Sequence, residues 1–437
     1  MNVQRCVHEY ISKIKLTIMT KLKSSLTKIL SFVIFLFFSN STVFANDGYF
    51  SNGIGVQYKS FAGAGVAFKI SPLGAATNPA SLAFLDSGYD INVSVFNPRR
   101  DFEVVGNPSQ IPGTFGLAPG KVESSSEWFV IPAIAANWKL GSKKALGLAI
   151  YGNGGMNTTY ESPVFGFNPT GVDLQQLFVQ PTVAFMFGEK HTVGISPLFA
   201  YQRFKAEGLA AFTPFSSNGN ALTDNGYSSS TGIGAKFGYI GDLHEMVSVG
   251  FAYQTPISMG KFEDYAGLYA EGGGFDVPKN WTAGVAFNMM LMEVALDVKK
   301  IYYSDVSSIG NPMLPNLMDA PLGSDNAAGF GWEDVMVYKI GVSYPVNEEW
   351  ILRAGYSFGD QPIQESEVLF NILAPAVNDQ HISFGFSRII NYENELSFYI
   401  TKAVSNNVIG ANPLDPPSGQ TIDLRMDIWE FGMGFTF

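Results

Sequence analysis

The sequence predicts an all-β transmembrane protein: a fourteen-stranded, antiparallel, up-and-down β-barrel. Three observations lead there. The first is the C-terminus, where Trp429, Phe431, Met433, Phe435 and Phe437 fall on one side of an extended chain. Glu430, Gly432, Gly434 and Thr436 fall on the other, because side chains alternate faces along a strand. An aromatic face toward lipid and a small or polar face inward fit a spanning strand of about 9–11 residues. The second is dispersed hydrophobicity. Charged residues are 15% of the chain, against roughly 25% in an average soluble domain. Beyond residue 45 no apolar run approaches the ~18 residues of a spanning helix. The third is the spacing of the candidate strands, whose links alternate between short and long.

Residues 1–45 read as a secretory signal peptide. Lys13, Lys15, Lys21, Lys23 and Lys28 precede the apolar run from Ile29 to Phe38, and Val43-Phe44-Ala45 is a small-x-small cleavage pattern. The run is too short to span a bilayer, which distinguishes it from an anchor. Either Met1 or Met19 is the start. The single cysteine, Cys6, lies in this leader, so the mature chain has neither disulfides nor thiol chemistry. The leader is basic, which leaves the remainder more acidic than the whole chain's net charge of −11. That argues against a nucleic-acid partner, which requires a basic face.

The fourteen strands are expected near 88–103, 126–140, 143–154, 172–188, 191–206, 229–241, 246–260, 279–288, 290–301, 333–344, 349–359, 380–389, 394–402 and 427–437. The alternation is clearest where Trp350, Leu352, Ala354, Tyr356 and Phe358 interleave with Ile351, Arg353, Gly355 and Ser357. Tyr338, Ile340, Val342 and Tyr344 interleave in the same way with Lys339, Gly341 and Ser343. Short links such as Gly141-Ser142 and Pro345 to Glu348 follow the even strands. Long links, near 104–125, 155–171, 207–228, 261–278, 302–332, 360–379 and 403–426, follow the odd ones. Short periplasmic turns and long outer loops are the habit of outer-membrane barrels, and an even strand number leaves both termini in the periplasm.

Two stretches carry a family resemblance. One is Ser60-Phe-Ala-Gly-Ala-Gly-Val-Ala67 followed by Asn78-Pro79-Ala80-Ser81-Leu82. The other runs from Trp332-Glu333-Asp334 through Tyr338 to Tyr344 and Trp350 to Tyr356, then Pro375 to His381 and Ser383 to Phe386. In this order they resemble the long-chain fatty acid and aromatic hydrocarbon transporters of the outer membrane (FadL-like). The resemblance implies a hatch inside the lumen formed by residues 46–85, with residues 86–437 as the barrel. It also implies passive uptake of a hydrophobic compound by loop capture, hatch-gated lumenal binding and lateral release, in a monomer in the outer membrane of a Gram-negative bacterium. The expected ligand is a long-chain fatty acid, with an aromatic hydrocarbon of the toluene or xylene type second. A general porin or a structural barrel is the competing class.

Apolar residues on loops or on a hatch are costly in water unless they meet an apolar partner. Tyr49, Phe50, Phe61 and Phe68 on the N-terminal segment qualify, as do Phe165, Phe167, Met313, Leu314, Leu317 and Met318 on the long links. Such residues either bind ligand or pack loops together. Asn78, Pro79 and Ala80 join them as the hatch motif. Lys339 and Arg353 are inward charges that either pair with lumenal carboxylates or anchor a carboxylate ligand. Gly152, Gly154 and Gly155 mark either a bulge that opens the wall, as in the family's kinked third strand, or a turn into the loop.

Catalysis, metal and cofactor have little basis. His381 and Ser383, two apart on a strand with Asp379 nearby, sit ~6.5–7 Å apart along it, beyond hydrogen-bond reach. Glu263-Asp264, Glu365 and Glu367 lack the spacing of a calcium loop. The expectation is a transporter without enzymatic activity, cofactor or metal.

Overall fold

The computed structural model describes residues 47–289, 292–391 and 394–437. The expected signal peptide and the choice between Met1 and Met19 lie outside the described residues. The strands are β1 (Gly88–Val105), β2 (Gly120–Glu123), β3 (Phe129–Lys139), β4 (Lys144–Tyr160), β5 (Thr170–Phe187), β6 (His191–Glu207), β7 (Ser228–His244) and β8 (Val247–Gln254). They continue as β9 (Ser258–Met259), β10 (Asn280–Met289), β11 (Met292–Ile301), β12 (Val335–Pro345), β13 (Trp350–Gly359), β14 (Gln380–Ile389), β15 (Glu395–Ala411) and β16 (Thr421–Thr436). β2 and β9 are short annexes on β1 and β7. The other fourteen pair antiparallel with their sequence neighbours, and β16 closes the ring on β1 from Asp90↔Thr436 to Val105↔Thr421.

Strands β16 and β1 change polarity along their length. In the lower half of β16 Trp429, Phe431 and Met433 are exposed on the outside while Glu430 is buried inside. In its upper half Ile422, Leu424, Met426 and Ile428 are buried and Arg425 points out. β1 repeats this, with Ile91 and Val93 outward below and Phe102 and Val104 inward above. The lower half meets lipid around a polar lumen, as a barrel strand must. The upper half stands above lipid, so its apolar side chains turn inward and line an upper chamber.

This inversion explains where the expected boundaries miss. β4 runs on to Tyr160, β15 to Ala411, and β16 starts at Thr421, so the loops after β4 and β15 are shorter than expected. Reading for apolar-out alternation stops where the pattern flips. A register shift between Ala403 and Asn406 further breaks the period in β15. The expected strand 246–260 ends at Gln254, just before Pro256, which has no N–H for the ladder.

The segment from Asp47 to Leu85 contains α1 (Val56–Ser60), α2 (Gly74–Thr77) and a 3₁₀ turn at Pro79–Phe84. It bonds to inner faces around the ring. Val56 N–H donates to Asn92 Oδ1 on β1 (2.6 Å), and Gln180 on β5 donates to Ala75 O (2.7 Å). Asp297 on β11 accepts from the Gly65 and Val66 amides at 2.7 and 2.9 Å. Lys59 pairs with Glu430 on β16 at 2.6 Å. A segment held by strands on all sides of a closed ring lies inside it. Wall glycines permit the approach: a Cβ at Gly355 would lie 2.0 Å from the Phe61 carbonyl carbon.

Candidate functional site

The site begins with a fault in the wall. β3 and β4 pair from Lys139↔Ala145 up to Ala133↔Tyr151. Above that, Phe129 to Pro132 of β3 pair with β1, and among the described residues none of them pairs with β4. A bulge at Asn153, between Gly152 and Gly154, turns β4 inward against the N-terminal segment. Phe50 and Gly154 form an antiparallel bridge. Ser51 N–H donates to Asn153 O (2.8 Å) and Gly155 N–H to Tyr49 O (3.2 Å). A Cβ on Gly154 would fall 1.8 Å from Tyr49 O, so a glycine is required there. Higher up the wall closes again, with Ser125 N–H donating to Thr159 O at 2.8 Å. The result is a framed window, with Trp128 and Val130 exposed beside it.

Behind the window lies a cavity of about 640 Å³, within the ~300–1,000 Å³ usual for ligand sites. Tyr49, Phe50, Phe96, Met156, Leu174 and Trp332 supply its apolar walls. Tyr49 stacks on Phe50 (centroids 5.1 Å) and tilts against Trp332 (6.1 Å). Burial pushes the Tyr49 phenol well above its usual range, so it remains a neutral hydroxyl. The loop between β13 and β14 folds down as a roof: Thr158 and Tyr160 donate to Leu373 O and Ile372 O, both at 2.8 Å. Trp332 Nε1 donates to Asn371 Oδ1 at 2.6 Å, which fixes the indole against that roof.

The charges around the cavity are unequally matched. Glu430 is bound by Lys59. Arg203, on β6 at the outer mouth, donates to Gln175 Oε1 (2.9 and 3.1 Å) and covers the Tyr227 ring at 4.5 Å. Arg100 on β1 is 6% exposed. It donates to the carbonyls of Asn157 and Ser126 and makes no ion pair among the described residues. A guanidinium has five N–H donors, and this one faces an apolar chamber holding no free carboxylate among the described residues.

Of the residues singled out from sequence, Tyr49, Phe50, Gly152, Gly154, Gly155 and His381 line this cavity. The others are placed elsewhere. Phe61 packs below, on Phe68 (5.0 Å) and on wall glycines. Asn78 donates to Val66 O (2.8 Å) and Tyr239 O (3.0 Å) and accepts from Ala80 N–H (3.1 Å). Asn78-Pro79-Ala80 thus caps the 3₁₀ turn and ties it to the wall. Phe165 is buried among Phe115 and Phe212, Leu317 is buried and Leu314 half-buried in the loop core, and Phe167 is exposed. Lys339 is engaged by Asp47 (3.0 Å) and Asn52 (2.6 Å), and Arg353 by Glu395 (2.9 Å) and Ser387. Neither cation is free for a ligand carboxylate. Ser383 bonds Thr401 at 2.7 Å, and His381 faces Ser357 at 3.5 Å. Arg100 was missed; in sequence it is one more inward charge, and its lack of an ion pair among the described residues shows only in three dimensions.

The structure is similar to the P. putida toluene transporter TodX at 18% identity, covering 88% of this chain and 98% of that one with a TM-score of 0.66. A Pseudomonas aeruginosa FadL homologue matches at 15% identity, 89% and 99% coverage and a TM-score of 0.65. The Ralstonia pickettii toluene transporter TbuX matches at 16%, 87% and 98%, with a TM-score of 0.58. At these identities the likeness establishes the barrel fold. No curated protein matches the chain. The family model described as outer membrane protein transport protein (OMPP1/FadL/TodX) matches residues 43–409. The chain belongs to that family, the outer-membrane transporters of hydrophobic compounds in Gram-negative bacteria.

Proposed function

We propose that the chain carries long-chain carboxylates, fatty acids first among them, into the upper chamber and passes them through the window between β3 and β4 into the membrane. Arg100 carries this reading. A buried, unpaired cation costs several kcal/mol, and a ligand carboxylate would relieve that through charge-assisted bonds. A neutral hydrocarbon would leave it unrelieved. The apolar walls suit the chain of such an amphiphile. The N-terminal segment acts as the hatch, since it fills the lumen and forms one edge of the window. The protein works as a monomer, passively and without catalysis.

A second reading, uptake of aromatic hydrocarbons, is favoured by the Tyr49, Phe50 and Trp332 rings. It is also favoured by the likeness to structures named as toluene transporters. Mass spectrometry of molecules co-purified with the protein, together with binding of labelled oleate and labelled toluene, separates the two. Oleate binding without toluene binding supports the first reading, and the reverse supports the second. Large open-channel currents in planar bilayers would count for a porin, and ester hydrolysis by the purified protein for an enzyme.

A further inference from the structure

A second, smaller cavity of about 70 Å³ lies lower in the lumen, between the N-terminal segment and the wall. That is well above the ~10–15 Å³ a single water needs. Lys236, Lys299 and Lys339 all line it. Lys299 and Lys339 share one carboxylate, Asp47, at 2.8 and 3.0 Å. Lys236 has no ion pair among the described residues; its ammonium donates to Ala76 O at 2.6 Å. Asp297 does not supply the missing charge, because it is turned to the Gly65 and Val66 amides.

Next to Lys236 is a second unmet donor. Gln254 on β8 is its direct register partner, so the two side chains stand side by side on the inner face. Gln254 is 2% exposed and Lys236 9%, and Gln254 Nε2 has no hydrogen-bond partner among the described residues. An unpaired ammonium and an idle amide N–H₂, both buried and both facing one small polar cavity, form half of a coordination shell. Buried polar donors are ordinarily satisfied, and buried charges are paired.

We propose that this cavity binds a compact anion, held by Lys236 Nζ and Gln254 Nε2 and supported by the field of Lys299 and Lys339. The chemistry fits a halide-sized inorganic anion or the carboxylate end of a transported amphiphile. Because Lys236 also holds the Ala76 carbonyl of α2, the bound anion fastens that corner of the N-terminal segment to β7 and β8.

The test uses the full-length protein in detergent with sodium bromide. Crystals grown in bromide should show an anomalous peak bonded to Lys236 Nζ and Gln254 Nε2, and the protein should broaden the bromide NMR line at constant ionic strength. Lys236→Met removes the cation with little change in volume. Gln254→Glu places an internal carboxylate beside the retained lysine. Both should abolish the peak and return the line width to that of the detergent blank. Adding dodecanoate identifies the source: displacement of bromide means the site takes a ligand carboxylate, and persistence means it takes a free anion. Both outcomes uphold an anion site. Absence of a peak and of broadening in the wild-type protein, or their survival in Lys236→Met, overturns it.

Discussion

Gly154 and Phe50 pair across an antiparallel bridge, so β4 gives to the N-terminal segment the bonds that its neighbour β3 lacks. One exchange of partners thereby opens the wall and anchors the segment beside the opening. Gly154→Val should be incompatible with it, since the new Cβ would occupy the space of Tyr49 O. Overpacking of this kind costs about 1–3 kcal/mol. Uptake assays should show loss of transport, and hydrogen exchange should show lost protection at Phe50 and Ser51 while the barrel strands stay protected.

Arg100→Met tests the ligand reading. Loss of a hydrogen bond to a charged partner costs about 1.5–3 kcal/mol, roughly a tenfold to hundredfold rise in Kd. Titration calorimetry should show that loss for oleate and little change for toluene. Equal weakening of both would mean that Arg100 shapes the chamber instead of reading a head group.

The window can be stapled shut. An ideal Cβ at Gly152 lies 3.1 Å from Ile131 Cγ2 across the lower edge of the opening, so Ile131→Cys with Gly152→Cys places two thiols face to face. The single natural cysteine is Cys6, so a Cys6→Ser background leaves the bridge unambiguous. Under oxidation the protein should bind ligand but fail to pass it on, and a reductant should restore uptake. Transport unaffected by the closed bridge would rule out passage at the lower edge of the window.

Asp47 gives the N-terminal segment a pH dependence. Burial pushes its carboxyl up, but the ammonium groups of Lys299 and Lys339 outweigh that and hold it well below the usual carboxylate range. A depressed folded-state pKa means the stabilisation is whole at neutral pH. It fades as pH falls below the unfolded carboxylate value of about 3.9. The protection factors of the α1 amides, each measured against the intrinsic exchange rate at the same pH, should therefore be steady from neutral pH down to about pH 4 and fall below it. Asp47→Asn should remove that acid step and, by leaving the buried Lys339 ammonium without a carboxylate partner, cost about 3–5 kcal/mol at neutral pH.

The lipid-facing half of each strand was legible in the sequence because lipid imposes a strict rule: Trp429, Phe431 and Met433 can face only outward. Above lipid the rule lapses, and the stretch from Thr421 to Asp427 reads as loop although it is strand. The window was half legible, since Gly152, Gly154 and Gly155 announce an irregularity but not which neighbour β4 abandons. Lys339 and Arg353 drew notice as inward cations, yet partners far away in sequence, Asp47 and Glu395, occupy them. Arg100 has the same local pattern, and only the folded ring shows that no carboxylate among the described residues meets it.

The frame around the window has its own consequence. Its sill is the Ala133–Tyr151 pair and its lintel the Ser125–Thr159 bond, so the tube stays continuous above and below and the aperture cannot unzip to fit its cargo. Girth is therefore limited while length is not. A slender chain can thread out end first, however long, whereas a broad fused-ring molecule of the same volume would be retained.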